Sequence, residues 1–222
     1  MKLVIFDVDG TLVDSQAHIL AAMSGAFEAH GLPVPPQAEV LGIVGLSLPE
    51  AMARLAPERP DLNAGLVEAY KASFVKTRAA VSGDVLHPLF PGAAEALAGL
   101  RGQDEVLLGI ATGKSRRGLD PSIAQHGWQG WFQTIQTADH HPAKPHPSMI
   151  EACLSEMGMD AGDAVMVGDT TFDLEMARAA GVAGIGVAWG NHPPQHLNPV
   201  ADYMLDDWAG LAPALAQLWG SA

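Results

Sequence analysis

Lys2-Leu3-Val4-Ile5-Phe6-Asp7-Val8-Asp9-Gly10-Thr11 is the stretch whose reading decides the fold. Residues 2–6 form an apolar, β-branched run that reads as a buried strand. The carboxylates of Asp7 and Asp9 then stand where an open α/β sheet places its ligands, outside the carboxyl ends of the strands. Taken alone, Asp-x-Asp-Gly also fits a turn or a calcium loop. An EF-hand loop begun at Asp7 would close on His18 where it needs a glutamate, so the calcium loop is excluded. The remaining choice depends on whether other strand ends carry matching chemistry.

Working outward, residues 15–85 read as helical throughout. Ile19, Leu20, Met23 and Phe27 make one helical face, ended by Gly31 and Pro33. Ser47-Leu48-Pro49-Glu50 has the pattern of a capping box opening a short helix that stops near Pro57. Leu66, Tyr70, Phe74 and Thr77 mark a further amphipathic helix. From Phe90-Pro91-Gly92 the rhythm becomes alternating helices and short apolar strands, the latter expected at 106–110, 132–137, 164–167, 183–187 and 202–205. Gly127 and Gly181 are the expected helix stops. Such alternation implies right-handed crossovers and a parallel sheet covered on both faces. The expected architecture is a doubly wound, Rossmann-like α/β core, residues 1–14 and 86–222, interrupted by an all-helical insert over residues 15–85. The segment 191–199, rich in Pro, Asn and His, is expected to be an exposed loop.

A chain of 222 residues with 48% hydrophobic and 17% charged residues buries a substantial core and is not disordered. Its 12 Lys+Arg against 25 Asp+Glu give a net charge of −13, which opposes nucleic acid and anionic membranes at long range. The single Cys153 excludes an internal disulfide and a multi-cysteine metal site, and reads as a buried, inert thiol. The N-terminal apolar run is broken by Asp7, and no later stretch is apolar long enough to span a bilayer. The expected setting is cytoplasmic. The sequence carries no signal for oligomeric state.

Three further strand ends do carry matching chemistry. Ile110-Ala111-Thr112-Gly113-Lys114 is a strand ending in a hydroxyl and a glycine turn; Ala143-Lys144-Pro145-His146-Pro147 holds a lysine between stiffened backbones; Val167-Gly168-Asp169-Thr170-Thr171-Phe172-Asp173 ends in an acidic pair. Each part has a task in phosphoryl transfer, where positioning and charge neutralisation are most of the catalysis. Clustered carboxylates repel unless a cation lies among them, and an all-oxygen ligand set favours a hard ion such as Mg²⁺. One carboxylate can take the phosphoryl group as an aspartyl phosphate. A second, its pKa raised by acidic neighbours unless the metal offsets them, can protonate the leaving alkoxide and then activate water.

This ordered set closely resembles the haloacid dehalogenase superfamily of phosphohydrolases, in the branch that includes phosphoglycolate phosphatase, over essentially the whole chain. The resemblance implies Asp7 as nucleophile and Asp9 as general acid/base, with Thr112 as the phosphate-binding hydroxyl and Lys144 steadying nucleophile and phosphoryl group. It puts Gly10, Thr11, Thr112, Gly113 and Lys144 against the substrate. It gives the metal Asp7, Asp169 and the Asp9 backbone carbonyl, with Asp173 supporting through water or a neighbour. The helical insert corresponds to the family's mobile cap, with residues 42–47 in the place of its substrate-facing loop. The partner implied is a small phosphorylated metabolite, with phosphoglycolate the leading candidate.

Other residues were read more plainly. The segment 109–115 misses the P-loop spacing, since the slot for its first glycine is Leu108. Lys114, Arg116 and Arg117 then form a helix-start surface cluster, and His18 is an exposed helix histidine. His140, His141 and His146 are solvated loop residues; Trp128 and Trp131 cover the core, and Met176 packs within it. Within the resembled superfamily, dehalogenases lack the second aspartate, which Asp9 supplies here. Phosphonoacetaldehyde hydrolases use a cap-loop lysine that residues 42–47 lack. Sugar phosphomutases of the β-phosphoglucomutase kind carry a cap histidine whose slot here is Ile19, one position from His18. Phosphomutase activity and non-catalytic binding of a phosphometabolite are the alternatives to a phosphatase.

Overall fold

In the computed structural model, which describes residues 1–80 and 87–220 (side chains of 78–80 excepted), the opening run forms β1 (Lys2–Phe6). It lies inside a six-stranded parallel sheet of order β3-β2-β1-β4-β5-β6. The other strands are β2 (Val106–Thr112), β3 (Thr134–Thr137), β4 (Ala164–Gly168), β5 (Ala183–Val187) and β6 (Tyr203–Leu205). β1 pairs in register with β2 on one side, Phe6 opposite Ile110, and with β4 on the other, Phe6 opposite Val167. The strand order reverses about β1, so the crevice for a ligand opens at the carboxyl ends of β1, β2 and β4. β2 runs two residues further than its apolar pattern, carrying Thr112 as its last residue. β3 starts later than expected, because Phe132 leaves the strand to pack edge-on against Trp128 at 5.7 Å.

After β1 the chain leaves the sheet for a helical insert: α1 (Gln16–Ala29), α2 (Gln37–Leu41), α3 (Leu48–Leu55) and α4 (Asn63–Ala80). These helices bury their own apolar cluster, including Ile19, Met23, Phe27, Met52, Leu66 and Tyr70, separate from the two clusters of the sheet. Entry and exit run side by side: Asp14 N–H donates to the Pro88 carbonyl at 2.8 Å and Phe90 N–H to the Leu12 carbonyl at 3.0 Å. The expected boundary at 85/86 lies outside the described residues. Ser47 precedes α3 without a side-chain cap, and Glu50, expected to reach back in the box, pairs forward with Arg54 at 2.9 Å.

The period-two alternation of β1 divides the core. Val4 and Phe6 join the face covered by α5 (Ala93–Arg101), α6 (Arg116–Gln125) and the C-terminal helix 211–219; Leu3 and Ile5 join the face covered by α7 (Ser148–Met157) and α8 (Thr171–Ala179). Gly127 and Gly181 follow α6 and α8 at φ of 66° and 71°, ending both helices as expected. Trp128 and Met176 are buried, and Trp131 is half-buried beneath the Arg101 guanidinium. The segment 191–199 is not simply an exposed loop. It contains α9 (Pro194–Leu197), anchored by fully buried Leu197, which makes the C-terminal helix α10 (Leu211–Trp219). Among the described residues no helix is long and apolar enough to cross a membrane.

Cys153 on α7 is buried against the Ile110 carbonyl at 3.8 Å, and burial pushes its thiol up to about 12. The thiol is therefore expected to resist Ellman's reagent in the native protein at pH 8 and to react fully in denaturant. Rapid reaction of the native protein, followed at 412 nm on the roughly one-thiolate-in-four scale of a free cysteine at that pH, would show the core to be looser than described.

Candidate active site

The loops leaving β1, β2, β3 and β4 bring their polar residues to one point. Asp7 follows β1 directly, its N–H donating to the Val167 carbonyl at 3.0 Å and extending the β1–β4 pairing. Thr112 ends β2 and is buried, its hydroxyl accepting from Lys114 N–H at 3.3 Å. Lys144, between β3 and α7, is buried at the centre, with its ammonium 3.1 Å from Asp7 Oδ1 and 2.6 Å from Asp173 Oδ1. Asp169 follows β4 and accepts from the Thr11 hydroxyl at 3.0 Å on one oxygen; its other oxygen accepts from Asn191 N–H at 2.7 Å and Asn191 Nδ2 at 2.8 Å. Asp173 lies in the first turn of α8. A capping box there fixes it, with Asp173 Oδ2 accepting from Thr170 N–H at 3.0 Å and the Thr170 hydroxyl at 2.7 Å.

Gly10 turns the chain between Asp9 and Asp169 at φ 88°, and a Cβ there would fall on the Asp169 carboxyl and the Asn191 amide. Thr11, expected against the substrate, instead aims its hydroxyl at Asp169 and so orients that acid. Oxygens of Asp7, Asp169 and Asp173 lie within 4.8 Å of one another, forming a possible cation site. The donor set fits a hard divalent ion: both Asp7 oxygens are buried, with a single ammonium beside Oδ1 among the described residues, and every candidate ligating atom is a carboxylate oxygen. Both Asp173 oxygens are already engaged by Lys144 and Thr170, which suits a supporting place behind Asp7 and Asp169. The Asp9 carboxylate is not part of this group; its backbone carbonyl lies 3.5 Å from Asn191 Nδ2.

Burial raises the Asp7 carboxyl to about 6, with Lys144 opposing the rise and Asp173 and Asp9 adding to it. Burial, with repulsion from Asp173 and Asp7, also holds Asp169 well above the usual carboxylate range. Burial likewise draws the Lys144 ammonium towards neutrality, but Asp173 and Asp7 outweigh it and its pKa is raised. Asp9 departs from expectation. Burial pushes it up, yet the charge and hydrogen bond of Lys114 outweigh burial and leave its pKa lowered. Lys114 is thus not a surface residue: it pairs with Asp9, the two side chains being 10% and 12% exposed. Arg116 and Arg117 do stay exposed, Arg116 pairing with Asp120.

The helical insert covers this site through the loop 42–47. A Cβ on Gly113 would press against the carbonyl oxygens of Gly45 and Leu46, the latter at 2.8 Å, and one on Gly45 would meet the Thr170 hydroxyl at 3.2 Å. His192, missed in the sequence, ties this loop to the core. Its Nδ1 accepts from Thr171 N–H at 3.1 Å, so Nε2 carries the proton and donates to the Gly42 carbonyl at 3.2 Å. Asn191 was missed too; its signal was its place at the carboxyl end of β5, in the crevice.

His18 is buried, not exposed. Its Nδ1 lies 2.7 Å from His87 Nε2 and its Nε2 2.9 Å from the Phe74 carbonyl, with the Phe74 ring stacked at 4.0 Å. Nor is His141 merely solvated, since it bridges Ser148 Oγ at 2.8 Å and Gln136 Oε1 at 3.0 Å. Because Gly113 has an ordinary backbone and its missing side chain makes room for the loop carbonyls, Gly113→Ala is expected to fold normally. It should lower kcat/KM on phosphate esters by about 10- to 100-fold through incomplete covering of the site. Unchanged kinetics with unchanged circular dichroism would show that the loop does not close there during turnover.

Residues 4–187 match the family model described as haloacid dehalogenase-like hydrolase. The chain is 36% identical over 227 residues to a protein of Dickeya dadantii named "Probable phosphatase IndB", covering 99% of this chain and 96% of that one. It is 30% identical to the phosphoglycolate phosphatase of Vibrio cholerae, covering 93% of each. A hydrolase of Pseudomonas syringae has a similar fold, with a TM-score of 0.84 at 23% identity over 98% of this chain and 99% of that one.

Proposed function

We propose that this chain, which belongs to the family of haloacid dehalogenase-like hydrolases and is a phosphatase, hydrolyses small phosphorylated metabolites in a Mg²⁺-dependent reaction through an aspartyl phosphate on Asp7. The observation that carries the reading is Asp7 itself. It is a buried carboxylate crowded by Asp169 and Asp173, with the Lys144 ammonium 3.1 Å from its Oδ1, at the point where four loops converge. A buried carboxyl held among like charges, its pKa raised to about 6 by burial, is a group placed for chemistry. The phosphoryl group sits between Asp7, the Thr112 hydroxyl and Lys144. An Asp7 oxygen bonds to phosphorus as the ester P–O bond breaks, and Asp9 gives the leaving oxygen its proton. Asp9 then takes a proton from water, which attacks the same phosphorus and releases Asp7 and inorganic phosphate. Mg²⁺ held by Asp7 and Asp169, with Asp173 behind them, would neutralise phosphoryl oxygens and allow the acids to stand together.

Phosphoglycolate is the leading substrate, supported by the Vibrio cholerae relative and by a covered site with close loop contacts. The phosphomutase alternative has less support: Ile19, in the slot of the mutase histidine, is buried in the insert core, and both His18 nitrogens are engaged elsewhere. A non-catalytic binding role would tolerate loss of the nucleophile, the lysine or a metal acid, and none is missing here.

Purified protein is expected to hydrolyse p-nitrophenyl phosphate and phosphoglycolate, to lose activity with EDTA and to regain it with Mg²⁺. Asp7→Asn should lower kcat on the order of 10³-fold or more. Turnover unchanged by Asp7→Asn would remove the nucleophile assignment; no turnover of any phosphate ester by metal-loaded wild type would favour the binding role.

A further inference from the structure

The strand-end acids make ion pairs with two lysines. Lys144 stands between Asp7 and Asp173 and is fully buried. Lys114 is different. It follows Thr112 by two residues and pairs with Asp9, an acid outside the Asp7, Asp169 and Asp173 group. The ring of Phe74, from α4 of the insert, lies 5.6 Å from its ammonium. It therefore sits where the covering insert meets the core, one residue beyond Gly113, against which the 42–47 loop closes.

A nearly buried ammonium needs an anion, because desolvation without one is costly. Asp9 fills that need in the structure. On the reading of this chain as a phosphatase, Asp9 must also reach the leaving oxygen of the ester. A leaving oxygen within reach of Asp9 lies close to Lys114 as well, one residue from where the 42–47 loop packs against Gly113. We propose that Lys114 is a specificity-determining residue that receives a second anionic group of the substrate, a carboxylate or a second phosphate carried a few atoms from the ester oxygen. Binding exchanges the Asp9 partner of Lys114 for the substrate's own anion, so the Asp9 carboxylate, no longer held ionised by the ammonium, takes up a proton from water and turns to the leaving oxygen. A neutral leaving group of the same size leaves either the ammonium or the general acid without its partner.

This inference rests on the phosphatase reading, and the test separates the two. Steady-state kcat/KM is measured at fixed Mg²⁺ for phosphoglycolate, pyrophosphate and hydroxyethyl phosphate, whose leaving group is neutral, with wild type, Lys114→Met and Lys114→Arg. Wild type is expected to favour at least one of the two substrates with a second anion over hydroxyethyl phosphate on the order of 100-fold. Whichever of the two has the larger ratio identifies the preferred anion. Lys114→Met should collapse that ratio to within several-fold, chiefly through KM, while Lys114→Arg keeps much of it. A wild type that turns over substrates with anionic and neutral leaving groups alike overturns the proposal and leaves the phosphatase reading standing; this comparison needs no variant to fold. A ratio that survives in Lys114→Met while all substrates slow together also overturns it, reducing Lys114 to a prop for Asp9. No turnover of any ester by wild type overturns both.

Discussion

Three carboxylates held within 4.8 Å of one another, out of water, are the constraint around which the rest of this molecule is arranged. Asp7, Asp169 and Asp173 repel, and a single ammonium, Lys144, stands among them. Ionised, the group carries two negative charges more than it balances, which is the charge of one divalent cation. The burden shows in the raised carboxyls of Asp7 and Asp169. It shows also in the backbone packed round them. Gly10, Gly168 and Gly190 are each so close that a Cβ would collide with Asp169 or Asp173. A parallel sheet whose order reverses at its first strand is what lets four loops deliver these groups to one point.

The covering insert is joined to this site by polar contacts with fixed direction. The 42–47 loop lies against Gly113 on one side and Thr170 on the other, and the His192 N–H holds its Gly42 carbonyl. Because Thr170 also caps α8 and holds Asp173, the loop closes directly on the residues that position the acids. Covering a charged site in this way removes water and strengthens every electrostatic interaction within it. The insert keeps its own apolar core, separate from the two clusters that flank the sheet.

The sheet, its helices and the helical insert were legible in the chain because β1 and its partners are apolar runs punctuated by glycine, while residues 15–80 keep helical spacing. Asp7, Thr112 and Asp169 were legible for a related reason, since they stand at strand ends that converge in a parallel sheet, while Lys144 in the loop after β3 and Asp173 in the first turn of α8 lie in the segments those ends lead into. What local pattern did not carry was set by packing between distant loops. Lys114 reads as the start of a surface helix until the strands bring it beside Asp9. His18 reads as exposed until α4 lays Phe74 across it. Asn191 reads as loop until Gly10 brings Asp169 within its reach. The Ser47 capping box does not form, Glu50 pairing forward with Arg54, whereas the box at Thr170 was hidden inside a motif read for its acids.

On the proposed mechanism the crowded acids divide phosphoryl transfer into two steps, with the phosphoryl group resting on Asp7 between them. Acid quench of enzyme in excess over a phosphate ester, followed by peptide mapping through a single turnover, tests it most directly. The account predicts a transient acyl phosphate on the peptide bearing Asp7, labile to hydroxylamine and gone when phosphate release is complete. A phosphoryl group on any other residue would contradict it, as would full release of phosphate with that peptide unmodified at every time point.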